Sequence, residues 1–491
     1  MTSVPTVEKA DEAVVSRPPL SGFRMVALGM LILQLTWVFA VPPFRGSDEF
    51  DHAYRAAAAA RGQWFVTPAK ATRGTGAWLE VPNDIVHAAR PQCQNLPYTH
   101  DEDCVGTPHG STTRIASGAG RYHPLFYAVI GTAALPFHGD TAFYVMRLAT
   151  VLLAWLLFCL ALAATRRWAT TAWPTAAIAV ASTPVLVFSA SIVAPNGVEM
   201  MAGLALWASM LGILGEPTRH HRFLLVAATL SGSVLVTLRS LGPMWCLLIL
   251  LTVLVATRPS VPDLKVLLSR TSSRVAAAVV LVATILSTAW IVTMHTFDIG
   301  QSVQDPISTA RRLRLVARME VLWVFQTIAA FPFRDQPTKT PVYACYLVIF
   351  IGALYLGFRL SRRPMRVAIG LSMFLAVAFP TLSALNPHTY PGLWQGRYGL
   401  PYAVGIVVLV GYALDRAGHR LTPRMRVTVL ALFVVAQAIG PADVLRQGAR
   451  DPLSDYGSFP HPPTALIALA AATGAAVLWW AASARPTRAS T

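Results

Sequence analysis

Three features of this 491-residue chain predict an all-α, polytopic membrane fold. Hydrophobic residues make up 54% of it and charged residues only 13%, against about 25% charged in a soluble domain. Mean hydropathy is +0.51, and many windows run near or above the ~18 apolar residues that cross a bilayer. The formal charge of +17 gathers in short loops between apolar segments rather than in one stripe. That distribution follows the positive-inside rule and excludes a nucleic-acid partner.

The elements follow in order. Residues 1–23 are polar and carry both charge signs, and no small-residue cleavage site follows the first apolar run. They read as a cytoplasmic tail before an uncleaved span at 24–43. Residues 45–122 form the largest polar region. The next apolar stretch, "PLFYAVIGTAALPFH" at 124–138, is short for a span. Counting it as one would place Arg166 and Arg167 on the side of the large loop, so it is expected to lie in the interface. Spans are then expected at 140–164, 169–194, 197–215, 222–240, 243–257, 275–295, 340–360, 366–385, 399–415, 427–445 and 463–483. That makes about twelve, with both termini cytoplasmic and the large loop outside. The reading is one integral domain, 24–491, whose first outer loop spans 45–138. Abundant Arg and Ala suggest a GC-rich bacterial genome, hence a bacterial plasma membrane.

Two outer regions depart from the loop-charge rule: 296–339, with Arg311, Arg312, Arg314 and Arg318, and 386–398, "NPHTYPGLWQGRY". Cys159, Cys246 and Cys345 fall in apolar spans, as small core residues do. Cys93 and Cys104 lie in the large loop and are a candidate disulfide if that loop faces an oxidising compartment. His87, His100 and His109 are irregularly spaced, and no metal or other cofactor is expected.

Directly after the first span comes "RGSDEFDHAYRAAAAARGQW", 45–64. Ser47 is a candidate N-cap, Asp48 and Glu49 suit a first helical turn, and Gly62 is placed to end the helix. Asp48, Asp51, His52 and Arg55 share one helical face, with Glu49 to one side. A capped, solvated helix with an Asp51–Arg55 pair accounts for these residues. So does a carboxylate general base at the membrane surface, its proton affinity raised by crowding and desolvation.

The same stretch resembles the "DE…Y…A…G.W" signature after the first span of the GT-C glycosyltransferases. "RYHPLFYAVIGTAALPFHGDTAFYVMRLATVLLAWLLFCLALAATRR", 121–167, is similar to their "PPLYY…G…RL…" block. "STPVLVFSASIVAPNGVEM", 182–200, looks like their turn between the third and fourth spans. "WQGRYGLP", 394–401, resembles a "QGRY…P" block of uncharacterised bacterial GT-C-like proteins. The resemblance implies a GT-C-like fold with an interfacial helix before the second span. It also implies inverting transfer of a sugar from a polyprenyl-phosphate donor to an extracytoplasmic cell-envelope glycan or glycolipid. The family's acidic base maps onto Asp48 and Glu49, of which Asp48 is favoured, with Asp51, His52 and Arg55 in support.

A leaving lipid phosphate calls for fixed guanidinium donors. The outer candidates are Arg121, with His123 beside it, Arg239, the Arg311–Arg318 group and Arg397. Tyr122, Trp394, Gln395 and Tyr398 are candidate sugar or acceptor contacts. Glu199, at the outer start of the fourth span, either faces the cavity or simply sits in the first turn of its helix. Two alternatives stand beside the transferase: a transporter or flippase for a lipid-linked sugar, and a non-catalytic envelope-assembly protein.

Overall fold

In a computed structural model, the described residues are 20–71, 74–94, 104–297, 307–331, 337–386, 394–448 and 462–484. The chain begins with α1 (Leu20–Ala40) and the short α2 (Glu49–Ala60), followed by β1 (Pro68–Ala71), β2 (Gly74–Pro82) and α3 (Asn83–Gln94). Strands β3 (Thr107–His109) and β4 (Thr112–Ser117) lead into α4 (Pro124–Ala134) and α5 (Gly139–Thr165). Next come α6 (Trp173–Ala181), α7 (Pro184–Ser189), α8 (Pro195–Gly215), α9 (Arg222–Leu238), α10 (Gly242–Thr257), α11 (Val261–Ser269) and α12 (Thr271–Thr293). The last are α13 (Thr309–Ile328), α14 (Thr340–Leu360), α15 (Arg363–Leu385), α16 (Leu400–Arg416), α17 (Pro423–Gly448) and α18 (Thr464–Ala482).

Nine helices among the described residues are long and apolar enough to cross a membrane: α1, α5, α8, α12, α14, α15, α16 with the turn before it, α17 and α18. The other three expected spans are helical but shorter. α9 has 17 residues and α10 has 16. The segment 169–194 is two helices broken at Ser182–Thr183, because Pro184 cannot donate into a continuing helix. The carbonyls freed by that break and by the end of α7 are taken up by neighbouring spans. Tyr346 donates to the Val180 carbonyl, Gln437 Nε2 to Ser182 at 2.7 Å, and Gln34 Nε2 to Ala190 at 3.3 Å. Such partners are what lipid cannot supply.

α8 is buried along almost its whole length among α5, α9, α10 and α16, whereas α12 lies at the periphery. The helical architecture is the expected one. The first loop departs from it by carrying a four-stranded antiparallel sheet, ordered β1-β2-β4-β3. Ala77, Leu79 and Val81 alternate inward on β2, with Trp78 outward, a period of two that signals a strand. β3 and β4 are joined through Gly110–Ser111, with Gly110 at φ 59° as a tight hairpin requires. Cys93 and Cys104 are joined in a disulfide that ties α3 to the segment entering β3.

Helix α4 is short and packs along α2. Their approach is close: a Cβ at Gly131 would run into the Ala56 carbonyl. The alanine run 56–60 and Gly131 therefore let two backbones meet, and α2 is held against the membrane domain rather than solvated.

Candidate active site

The residues that begin α2 diverge from a single turn. Asp48 is the N-cap, in the left-handed region at φ 55°, with no side-chain cap bond. Ser47, the expected cap, instead accepts from Arg397 Nη1 at 2.6 Å. The capping place is lost because Glu49 reaches back, its Oε2 accepting from the Gly46 amide at 2.8 Å.

Glu49 is fully buried and paired with Arg147 of α5, also fully buried. Arg147 Nε meets Oε1 at 2.8 Å and Nη2 meets Oε2 at 2.7 Å. The other guanidinium N–H groups donate to the carbonyls of Val38 (2.9 Å), Val41 (2.7 Å) and Pro42 (2.7 Å). The Val193 amide adds a bond to Oε1 at 2.8 Å. All five guanidinium donors are thus engaged, and the carboxylate accepts four bonds. This knot joins the end of α1, the start of α2, α5 and the α7–α8 turn. Its signal in the sequence is a lone arginine inside an apolar span, and reasoning from the first loop missed it.

The opposite face of α2 meets the sheet and α4. Asp51 Oδ1 accepts from the Gly118 amide at 3.0 Å, and Ser117 Oγ donates to the Asp51 carbonyl at 3.1 Å. Arg55 donates to the carbonyls of Gln63 (2.8 Å), Trp64 (2.9 Å) and Tyr122 (3.2 Å). The expected Asp51–Arg55 pair is therefore replaced, among the described residues, by backbone partners on each side. His52 Nδ1 lies 2.8 Å from the Tyr127 hydroxyl, and its ring stacks between Tyr122 and Tyr127 at 6.0 and 5.8 Å. Burial pushes the imidazole down from 6.5 to about 3, so His52 is neutral at pH 7.

Asp48 is the member of the group that reaches solvent. Its side chain is 26% exposed, and Oδ2 lies 3.7 Å from Nη2 of Arg397, which is 3% exposed. Arg397 sits in a 3₁₀ turn, Gly396–Gly399. That turn hangs on α13, where Trp323 donates to the Trp394 carbonyl at 2.9 Å and Gln326 accepts from the Gly396 amide at 2.7 Å. Trp394 and Gln395 are thereby buried, and Trp394 meets Tyr398 edge-on at 5.9 Å.

Tyr398 carries two guanidinium groups, Arg239 at 4.5 Å and Arg397 at 5.5 Å from its ring centroid. Arg239 follows α9, bonds Asn196 Oδ1 at 3.0 Å and lies 5.7 Å from the Tyr122 ring. A narrow slot of about 10 Å³ opens beside it, lined by Tyr122, His123, Arg239, Ser240, Trp290 and Thr296. Burial pushes the Tyr122 phenol up, so it remains a donor at neutral pH.

The expected constellation is thus brought together around Asp48, Arg397, Tyr398, Arg239 and Tyr122. Arg121 and His123 stand at its edge with framework partners. Arg121 donates to the Gly76 and His295 carbonyls at 3.0 and 3.2 Å, while His123 caps α4. Within the basic 311–318 cluster, Arg312 is buried and donates to the Ala384 and Asn386 carbonyls at 3.0 and 2.7 Å. His100 lies outside the described residues.

The family model described as "Predicted membrane protein (DUF2142)" matches residues 31–406. Among solved structures, the chain is similar to ArnT from Cupriavidus metallidurans in the apo state. Identity there is 16% and the TM-score 0.46, over 94% of this chain and 76% of that one. The same protein bound to undecaprenyl phosphate aligns at 16% identity and a TM-score of 0.43, over 94% and 77%. No curated protein sequence matches the chain. With the match running from the first span into α16 and taking in every residue of the constellation, the chain belongs to the DUF2142 family of predicted membrane proteins.

Proposed function

We propose that this chain is a membrane glycosyltransferase that moves a sugar from a polyprenyl-phosphate donor to an extracytoplasmic cell-envelope acceptor. The observation that carries the reading is one partly exposed carboxylate, Asp48, set against two guanidinium groups that converge on Tyr398. Asp48 takes the proton of the acceptor hydroxyl as its oxygen attacks the anomeric carbon from the face opposite the phosphate. The bond from that carbon to the phosphate oxygen breaks, and the electron pair leaves with the lipid phosphate, so the configuration inverts. Arg239 and Arg397 meet the developing charge. Charge-assisted hydrogen bonds of this kind are worth about 1.5–3 kcal/mol each, more where the site is already organised.

Glu49, with every acceptor position engaged by Arg147 and two amides, holds the turn rather than the proton. Trp394 and Gln395 position Arg397, and Tyr122 and Tyr398 are the ring contacts for the sugar. Guanidinium groups supply the positive charge, so turnover that survives EDTA is the expected outcome.

The membrane is that of a bacterial cell, with the sheet, the disulfide and the site outside and the termini inside. The arginines of 166–167, 219–222 and 258–274 supply the inward bias. The carrier alternative needs backbone groups open to cargo at mid-membrane. Here the carbonyls of the broken span are already occupied by Tyr346, Gln437 and Gln34.

The test is purified protein in liposomes supplied with polyprenyl phosphates carrying labelled sugars and with envelope glycan extracts. Label appearing in the glycan as lipid phosphate is released supports the transferase. Sugar-lipid crossing the bilayer with its bond intact would establish the flippase instead, and binding without turnover the scaffold.

A further inference from the structure

Glu199 is a buried ionisable group that this mechanism leaves unused. It lies in the first turn and a half of α8 and is 2% exposed. Its Oε1 is closed off from solvent with no hydrogen-bond partner among the described residues. The contrast with Glu49, equally buried but bonded at both oxygens, is direct. A sealed acceptor without a donor costs about 1–3 kcal/mol, more when charged, and such a group calls for an explanation in terms of what it meets.

Its neighbours indicate what that is. Glu199 and Asn196 are three apart on one helix and share a face, and Asn196 holds Arg239 at 3.0 Å. The Glu199 carboxyl acts electrostatically on Arg239, while the rings of Tyr122 and Tyr398 cover that guanidinium elsewhere. In its ionised form the carboxyl repels phosphate, so the group that fits it is an O–H donor adjoining the anion. In a glycosyl phosphate the ring hydroxyls lie next to the phosphate oxygens.

We propose that Glu199 is a specificity residue that accepts hydrogen bonds from the hydroxyls of the donor's sugar while Arg239 holds the adjoining phosphate. The donor's identity rests on the glycosyltransferase reading above; the burial of Glu199 and its unpartnered oxygen do not.

The experiment compares wild type with Glu199→Leu and Glu199→Gln, purified whole and in nanodiscs. Each is titrated with polyprenyl phosphate and with polyprenyl phosphates carrying a hexose or a pentose. Wild type is expected to prefer one sugar-bearing lipid over bare lipid phosphate by at least about tenfold, as one charge-assisted hydrogen bond gives. In Glu199→Leu that preference collapses to within about twofold while affinity for bare lipid phosphate holds. Glu199→Gln stays folded and loses part of the preference, and it decides the matter if the leucine variant does not fold. Equal weakening of both ligands, or an intact sugar preference in the variants, overturns the assignment. Wild-type protein that binds neither lipid overturns the glycosyltransferase reading itself.

Discussion

At Asp48 the backbone passes through φ 55°, and that turn sends two neighbouring carboxylates in different directions. Glu49 enters a dry knot with Arg147, while Asp48 faces solvent beside Arg397. The cluster "SDEFDH" and its place after the first span were legible in the sequence, as was the shared face of Asp51, His52 and Arg55; Asp48, expected on that face, precedes the helix and turns toward Arg397. The division of labour was not, because Glu49 is explained by a residue 98 positions away and Asp48 by one in a late 3₁₀ turn. His52 yields a prediction at this scale. Its proton affinity is depressed in the fold, so below pH 6.5 the unfolded chain binds a proton that the folded chain does not. Stability is flat above pH 6.5 and falls toward about pH 3, by up to roughly tenfold per pH unit in the unfolding equilibrium. His52→Gln flattens that acid limb, as pH-resolved thermal unfolding would measure. An unchanged acid limb would mean that His52 titrates normally.

Among the elements, α2 was readable almost to its ends: helix formers through the alanine run, then Gly62 at φ 85° just past its end. The sheet was not: β1 and β3 have only four and three residues, and the alternation of Ala77, Leu79 and Val81 on β2 is one brief signal inside a polar loop. The structure makes α2 a wedge held by α4 on one side and by the Glu49–Arg147 knot on the other. Breaking that knot from one side leaves a buried charge, so Glu49→Gln and Arg147→Met should each cost about 3–5 kcal/mol. The double variant should cost less than their sum, as a thermal double-mutant cycle would reveal; simple additivity would mean that the two do not act as a pair. The Cys93–Cys104 disulfide ties the end of α3 to the segment entering β3 across a sequence separation of 11. Cys93→Ser with Cys104→Ser should cost about 2–4 kcal/mol. The loss should be confined to the sheet and α3, seen as faster amide exchange there with the spans unchanged. Equal loosening of the spans would contradict a separately braced loop.

Across the whole molecule, hydropathy and arginine-bearing loops were enough to locate every expected span in helical structure, the third as two helices. Length was harder to read at two places: α9 stops at Leu238, where Arg239 turns extended, and the third segment is broken at Pro184, whereas α10 runs Gly242–Thr257 against the expected 243–257. The topology makes its own prediction. Single cysteines placed at Arg167 and at His109, in a background without the three native thiols, should be labelled from opposite sides of the membrane. Labelling from one side would refute the assignment of the sheet and site to the outer face. The most direct test of the central claim is the transfer rate of Asp48→Asn in proteoliposomes, measured beside its melting temperature and donor affinity. With Asp48 as the base, the variant is a folded protein that binds donor as wild type does and transfers sugar roughly 10²–10⁴-fold more slowly, the share a general base supplies. An Asp48→Asn protein that transfers at the wild-type rate would contradict that role.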